Sequence, residues 1–184
     1  MVNRETVLYF IAILPPDNLR QSVKILKEEM KLRFNAKHAL KSPAHITLQM
    51  PFKWSFKEEK MLLIALKKFA FQEKAFTVGL NGFNCFTPRV IFVKVIDHSA
   101  IAALHTRLSL VLIEQLGFEN SSINPKMHPH MTIATRDLKK NAFHLAWREF
   151  EDREFIGSFL ANGIGLLKHN GKQWEIYQEF PFGS

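Results

Sequence analysis

The sequence writes one order of elements twice. VLYFIAIL, starting at Val7, is answered 83 residues on by VIFVKVID, starting at Val90; AHITLQM, which carries His45, is answered by HMTIA, whose His130 comes 85 residues later. FTVGLNGF from Phe76 and FLANGIGLL from Phe159 echo each other at the same 83-residue interval. Solenoid repeats are shorter and more numerous, so two copies at this period constrain the chain to a pair of similar lobes packed about a pseudo-twofold axis. With 184 residues and 47% apolar content there is enough chain to close a substantial core without covalent staples. The expected organisation is one domain with two intimately packed lobes, approximately residues 1–86 and 87–184, free to interleave.

Within each copy the hydrophobic periodicity predicts strand, helix, strand, helix, strand. Val7 to Leu14 is a continuous β-branched and aromatic run closed by Pro15 and Pro16, the pattern of a buried strand. Leu19, Val23, Leu26 and Met30 then recur at helical steps behind a cap at Asp17. AHITLQM reads as a strand that ends at Pro51. Ser55 and Glu58 have capping-box spacing for a helix that turns Leu62, Leu66 and Phe69 inward. Strands are expected near residues 76–80 and over 90–96, separated by the turn-rich NGFNCFTPR, and a helix over about 100–116 ends at Gly117. HMTIA is the next strand, followed by a helix over about 137–150. The tail predicts a hairpin whose arms, FIGSFLANGIGLLK and QWEIYQEFPF, meet at a primed turn on Asn170 and Gly171. The fold class is therefore α+β. Each lobe is expected to be an antiparallel sheet with outer helices, and the two HxT strands to face a central cleft.

A formal net charge of +8 favours an anionic partner, because clustered Lys and Arg raise the local concentration of phosphates. Nucleotide or RNA fits that description. Lys24, Lys27 and Lys31 fall within one helical pattern and read as its solvated outer face. The single cysteine, Cys85, has no second thiol to pair with, which suits a reducing compartment. Val7 to Leu14, preceded by Arg4, imitates the core of a secretion signal, but no small-residue cleavage site follows and the run is far too short to span a bilayer. The chain is expected to be cytoplasmic and monomeric, with no membrane partner.

The repeated histidine motif carries the chemistry. Side chains at i and i+2 of a strand share a face about 7 Å apart, so His45 and Thr47 point one way while Ile46 and Leu48 point into the core. His130 and Thr132 do the same against Met131 and Ile133. Two facing imidazoles can hold a phosphodiester: one, neutral, removes a proton from the attacking oxygen, and the other, protonated, gives one to the departing oxygen. Threonine hydroxyls can donate to the non-bridging phosphate oxygens. No metal or other cofactor is called for. Chance alone supplies an HxT about 0.3 times in a chain with this much His and Thr, so the pair, in equivalent places of a duplicated layout, outweighs either motif alone.

With LYFIAILPPD, HITL, HMTIA and the duplicated lobes in hand, the chain resembles the two-histidine (2H) phosphoesterase superfamily, which includes 2′-5′ RNA ligase-like proteins and cyclic phosphodiesterases. The resemblance covers essentially the whole chain. It implies a metal-independent enzyme acting on RNA or nucleotides with a 2′,3′-cyclic phosphate or a 2′-5′ linkage. His45 and His130 would be acid and base, and Thr47 and Thr132 phosphate ligands. RNA ligase-like members commonly carry arginine five places after the second histidine. Here Thr135 holds that place and Arg136 follows, and a one-residue shift reverses strand facing unless the strand ends or bulges. The first motif continues into QMPFKW, not the ligase-like FLG pattern, and resembles a less characterised branch.

Arg136 and Lys53 are candidate phosphate contacts, with a solvated charge as the alternative for each. Tyr9, Phe10, Phe52, Phe83 and Phe86 lie near strand ends, where an aromatic ring can stack on a nucleobase; for each, core packing is the competing role. His128 and His130 with His45 could supply three zinc ligands, but Pro129 interrupts the pairing and the threonines would be left without a part. His38, His98, His105, His144 and His169 have no partner motif. Three readings stay open: a two-histidine phosphodiesterase, a non-catalytic nucleotide or RNA binder using the same cleft, and a structural protein whose histidines are buried core groups.

Overall fold

The computed structural model describes residues 6–183; Arg4 lies outside the described residues. The elements follow in the order β1 (Thr6–Ile13), α1 (Asp17–Phe34), β2 (Ile46–Ser55), α2 (Glu59–Gln72), β3 (Phe76–Phe86), β4 (Val90–Ile96), α3 (Ser99–Leu116), β5 (His130–Ala134), α4 (Lys140–Phe150), β6 (Ile156–Ala161), β7 (Gly163–His169) and β8 (Trp174–Pro181). They build an α+β molecule with two four-stranded antiparallel sheets, in the orders β2-β1-β7-β8 and β5-β4-β3-β6. The two orders match place for place. β2, which His45 immediately precedes, and β5, which His130 opens, are the corresponding edges, and they touch each other where the sheets meet.

The sheets do not divide the chain between Phe86 and Thr87. β3 joins the second sheet, and β7 and β8 return to complete the first. The long run FIGSFLANGIGLLK is accordingly not one hairpin arm. It splits at Asn162 into β6, which pairs with β3, and β7, which pairs with β8. Gly163 permits the crossing: a Cβ there would lie 2.6 Å from the carbonyl oxygen of Phe180. The expected hairpin survives only as β7 and β8. Its loop covers Asn170 to Gln173, with Gly171 alone at positive φ, so it is not a two-residue primed turn. The Asn170 side chain accepts from the amides of Lys172 and Gln173 instead.

Several ends differ from their sequence signals. Pro16 is the N-cap residue of α1, while Asp17 is the first helical residue and pairs with Arg20. Ser55 and Glu58 make no capping box: a short 3-10 turn, Phe56–Glu58, intervenes before α2, and neither side chain caps. β2 continues through Pro51, which an edge strand tolerates because the missing amide faces no neighbour. The Asn-Gly of NGFNCFTPR forms a bulge within β3, with Gly82 at φ 66° and a register shift between Leu80 and Phe83, and the chain turns only over residues 87–89. α4 starts three residues later than expected, after Arg136 at φ 55°. The terminator Gly117 does end α3, in the left-handed conformation, with Phe118 donating back to Leu112.

One contiguous apolar cluster draws on both sheets and all four helices, including Ile11 and Ile13 of β1, Met30 of α1, Leu66 of α2, Val93 of β4, Leu104 of α3 and Phe143 of α4. Each fully buried aliphatic or aromatic side chain of this kind contributes about 1.5–3 kcal/mol relative to leaving it exposed. A second, small cluster of Phe10, Ala12 and Leu167, with Trp174 and Ile176 against it, covers the other face of the first sheet. Among the described residues no helix is long and apolar enough to cross a membrane.

Candidate active site

Period-2 alternation sets the two motifs as the sequence predicts. Ile46 and Leu48 are buried, as are Met131 and Ile133, while His45, Thr47, His130 and Thr132 are each half-buried on the opposite face. Ala12 stands opposite Thr47 and Phe92 opposite Thr132. By pairing, β1 and β4 therefore correspond three residues short of the 83-residue echo, and both pairings carry register shifts.

The two rings are held alike. The Nδ1 of His45 lies 2.7 Å from the carbonyl of Pro43, and the Nδ1 of His130 lies 2.6 Å from the carbonyl of His128. A carbonyl oxygen only accepts, so each Nδ1 carries the hydrogen and each Nε2 is left with a lone pair when the ring is neutral. Each ring also rests on a phenylalanine of its sheet, His45 on Phe10 with centroids 4.7 Å apart and His130 on Phe92 at 4.8 Å. Thr47 and Thr132 have no hydrogen-bond partner for their hydroxyls among the described residues.

Thr47, His128 and His130 line one cavity of about 310 Å³, together with Phe86, Met127 and Lys126. His45 is close enough for the charge of His130 to act on it. Burial lowers the His45 pKa to about 4, chiefly by desolvation, with the Lys27 ammonium adding to the effect and His130 adding less. Desolvation likewise lowers the pKa of His130; the bond to the His128 carbonyl opposes this, and the nearby His128 and His98 rings add smaller lowering effects. Both rings are therefore biased toward the neutral form in the unliganded protein.

Of the other predicted residues, Phe86 is the aromatic side chain beside a site histidine and open to solvent: it is 41% exposed and stands edge-on to His130 at 5.1 Å. Tyr9 must be corrected. It is wholly buried on the core face, where its hydroxyl bonds Glu59, because the alternation of β1 gives Phe10 the cleft face. Phe52 packs on Phe118 at 5.0 Å and on Tyr9, away from the histidine cavity, and Phe83 is buried against Phe150. Lys53 is exposed beside other cavities, one lined by Lys168 and His169 and another by Phe118. Arg136 is exposed just beyond the end of β5, and its charge acts on His38; it does not line the cavity of Thr47 and His130.

Sequence reasoning missed three neighbours of the site. His98, given no role, lies 5.0 Å from His128, which in turn is 6.0 Å from His130. Among the described residues these rings form no group arranged to hold a metal ion. Lys27, assigned to a solvated helix face, is buried, and its ammonium donates to the Ser42 carbonyl at 2.9 Å. Trp174 packs edge-on to Phe10 at 4.7 Å. The apolar stripe of α1 gave the only hint of Lys27, which follows Leu26 on its margin.

Two antiparallel sheets with matched edge strands, each presenting a histidine and a threonine, define a class of bilobal α+β proteins, and known proteins of that shape identify it. The Escherichia coli protein LigT in its apo form superposes with a TM-score of 0.67 at 16% identity, over 98% of this chain and 99% of that one. TT0787 of Thermus thermophilus superposes with a TM-score of 0.66 at 21% identity, over 96% of this chain and 99% of that one. A protein of Bacillus pumilus (strain SAFR-032) assigned to the phosphoesterases is 24% identical over 181 residues, which is 95% of this chain and 97% of that protein. A model of the 2′-5′ RNA ligase superfamily matches residues 15–173. The chain belongs to that superfamily.

Proposed function

We propose that the protein is a metal-independent phosphodiesterase acting on RNA or nucleotides that carry a 2′,3′-cyclic phosphate or a 2′-5′ linkage. The observation that carries this reading is the matched pair of imidazoles, each with Nδ1 tied to the carbonyl two residues back and Nε2 free. Water attacks the phosphorus of the cyclic phosphate, the Nε2 of His45 takes its proton, and the bond to one ribose oxygen breaks. The Nε2 of His130 gives a proton to that oxygen, leaving a phosphate monoester and a free hydroxyl. His45 takes the base role because its ring is the one held to a pKa of about 4. Binding of the anionic phosphate raises the pKa of both rings, and the one that binds it protonated serves as acid.

Thr47 and Thr132 donate from either side to the non-bridging oxygens, where charge builds up. Phe86, open to solvent beside His130, offers a face for the base. The same steps with a 5′-hydroxyl in place of water, the bond to the 3′ oxygen breaking and that oxygen taking the proton, would join ends through a 2′-5′ linkage. We place the protein in the cytoplasm as a monomer. The deciding experiment is a panel of cyclic mononucleotides, cyclic-ended oligoribonucleotides and 2′-5′ dinucleotides, with product position read by NMR in the presence of a chelator. Opened monoester product supports the proposal. Salt-sensitive binding without product for any member would instead make the protein a binder.

A further inference from the structure

A second cavity, also about 310 Å³, lies beside the loop that leads into His45. Its lining carries four cations, Arg20, Lys24 and Lys27 from α1 and Lys41 from the turn that follows, and no carboxylate. Arg20 is engaged by Asp17 and by the carbonyl of Pro15, but among the described residues Lys24 and Lys41 have no acidic partner. Lys27 stands apart from these. It is only 3% exposed, and its hydrogen-bond partner among the described residues is the neutral Ser42 carbonyl, so a buried ammonium is kept without a counter-charge from them. Burying an unpaired cation is costly, and its pKa falls to about 8 in consequence. A bound anion would remove that cost.

The cavity adjoins the support of His45, although it shares no lining residue with the cavity of Thr47 and His130. The carbonyl of Pro43, which orients His45, belongs to the cavity lining, and Trp174, another lining residue, packs on Phe10, which packs on His45. In a nucleotide whose 2′ and 3′ oxygens are bridged by the reacting phosphate, the remaining phosphate position on that ribose is the 5′ oxygen. Resting on the reading of the cleft given above, we infer that this cavity binds the 5′-phosphate of the reacting nucleotide. The substrate class is then 5′-phosphorylated nucleotides and RNA ends bearing a cyclic phosphate, in preference to simple nucleoside cyclic phosphates.

The test compares cytidine 2′,3′-cyclic phosphate with its 5′-phosphorylated form at fixed ionic strength. It uses the parent, a Lys24→Ala/Lys41→Ala double variant at exposed positions, and Lys27→Met, which keeps the buried stem. The parent should favour the 5′-phosphorylated substrate by about tenfold or more in kcat/KM, mainly through KM, as expected of charge-assisted contacts to a phosphate. That preference should fall to about twofold or less in the double variant. Equal kcat/KM for the two substrates in the parent, or a preference that survives in both variants, overturns the inference. If neither substrate is turned over, the two-histidine reading fails and calorimetric titration decides the cavity. Cytidine 5′-phosphate binding tighter than cytidine, with the difference lost in the double variant, upholds the inference, and equal binding of the two overturns it.

Discussion

Burial holds the His45 ring neutral, with its pKa pushed down to about 4, and the nearby Lys27 ammonium adds to that effect. In an unfolded chain the same ring titrates near the ordinary histidine value of about 6.5. The folded pKa is the lower one, so between roughly pH 6.5 and 4 the unfolded state binds the extra proton. Stability from this group is therefore complete above pH 6.5 and is lost as pH falls through the window, by an amount on the order of 3 kcal/mol. Denaturant unfolding across that range should show a shallower pH slope for His45→Gln than for the parent, and equal slopes would contradict the burial. Lys27→Met removes a cation that disfavours the imidazolium, so the His45 pKa read by NMR titration should rise; no rise would place Lys27 too far away to matter. At this scale the sequence announced the two HxT motifs, because period-2 alternation forces both side chains of a motif onto one face. It did not announce Lys27. Its spacing from Val23 and Met30 sets it on the margin of the apolar stripe, where a lysine ordinarily carries its ammonium out to water, but here the ammonium turns to the Ser42 carbonyl.

Between elements, two side chains tie the flanks of the histidine strands together. Gln49 of β2 is buried and donates to the carbonyl of Ser122, in the loop before β5. Asp137, just after β5, accepts from the amides of Lys37 and His38, in the segment before β2. Asp137→Ala should cost about 1–2 kcal/mol, the range for hydrogen bonds to a charged group, measured by denaturant unfolding. Gly117→Ala should cost about 1 kcal/mol through its left-handed backbone alone, since nothing lies within 4 Å of an added Cβ. Neutral behaviour of Gly117→Ala would mean that the helix end readily adopts another conformation. Strand and helix cores were legible from periodicity, as for Val90–Ile96 and His130–Ala134. Ends were less so: the Ser55 and Glu58 spacing matched a capping box, yet a 3-10 turn took its place, and Pro51 sat inside β2 because an edge strand does not need its amide.

For the molecule as a whole, duplication in the sequence made the paired sheets legible, but not which strand completes which sheet. β3 and β7 hold equivalent places in opposite sheets, and nothing local to Asn162 says that the chain changes sheets there. The apolar cluster shared by both sheets predicts that they unfold as one cooperative unit. Trp54 and Trp174 report on the first sheet and Trp147 on α4, so tryptophan fluorescence and far-UV circular dichroism should trace one coincident transition. Separate transitions would show lobes that unfold independently. In the proposed mechanism one imidazole from each half of the molecule acts on the same phosphorus. Its most direct test is kcat for opening a 2′,3′-cyclic phosphate, with chelator present, in the parent, His45→Ala and His130→Ala. Each single variant should lose a factor of about a hundred or more, whereas turnover at the parental rate in both would rule out a two-imidazole mechanism.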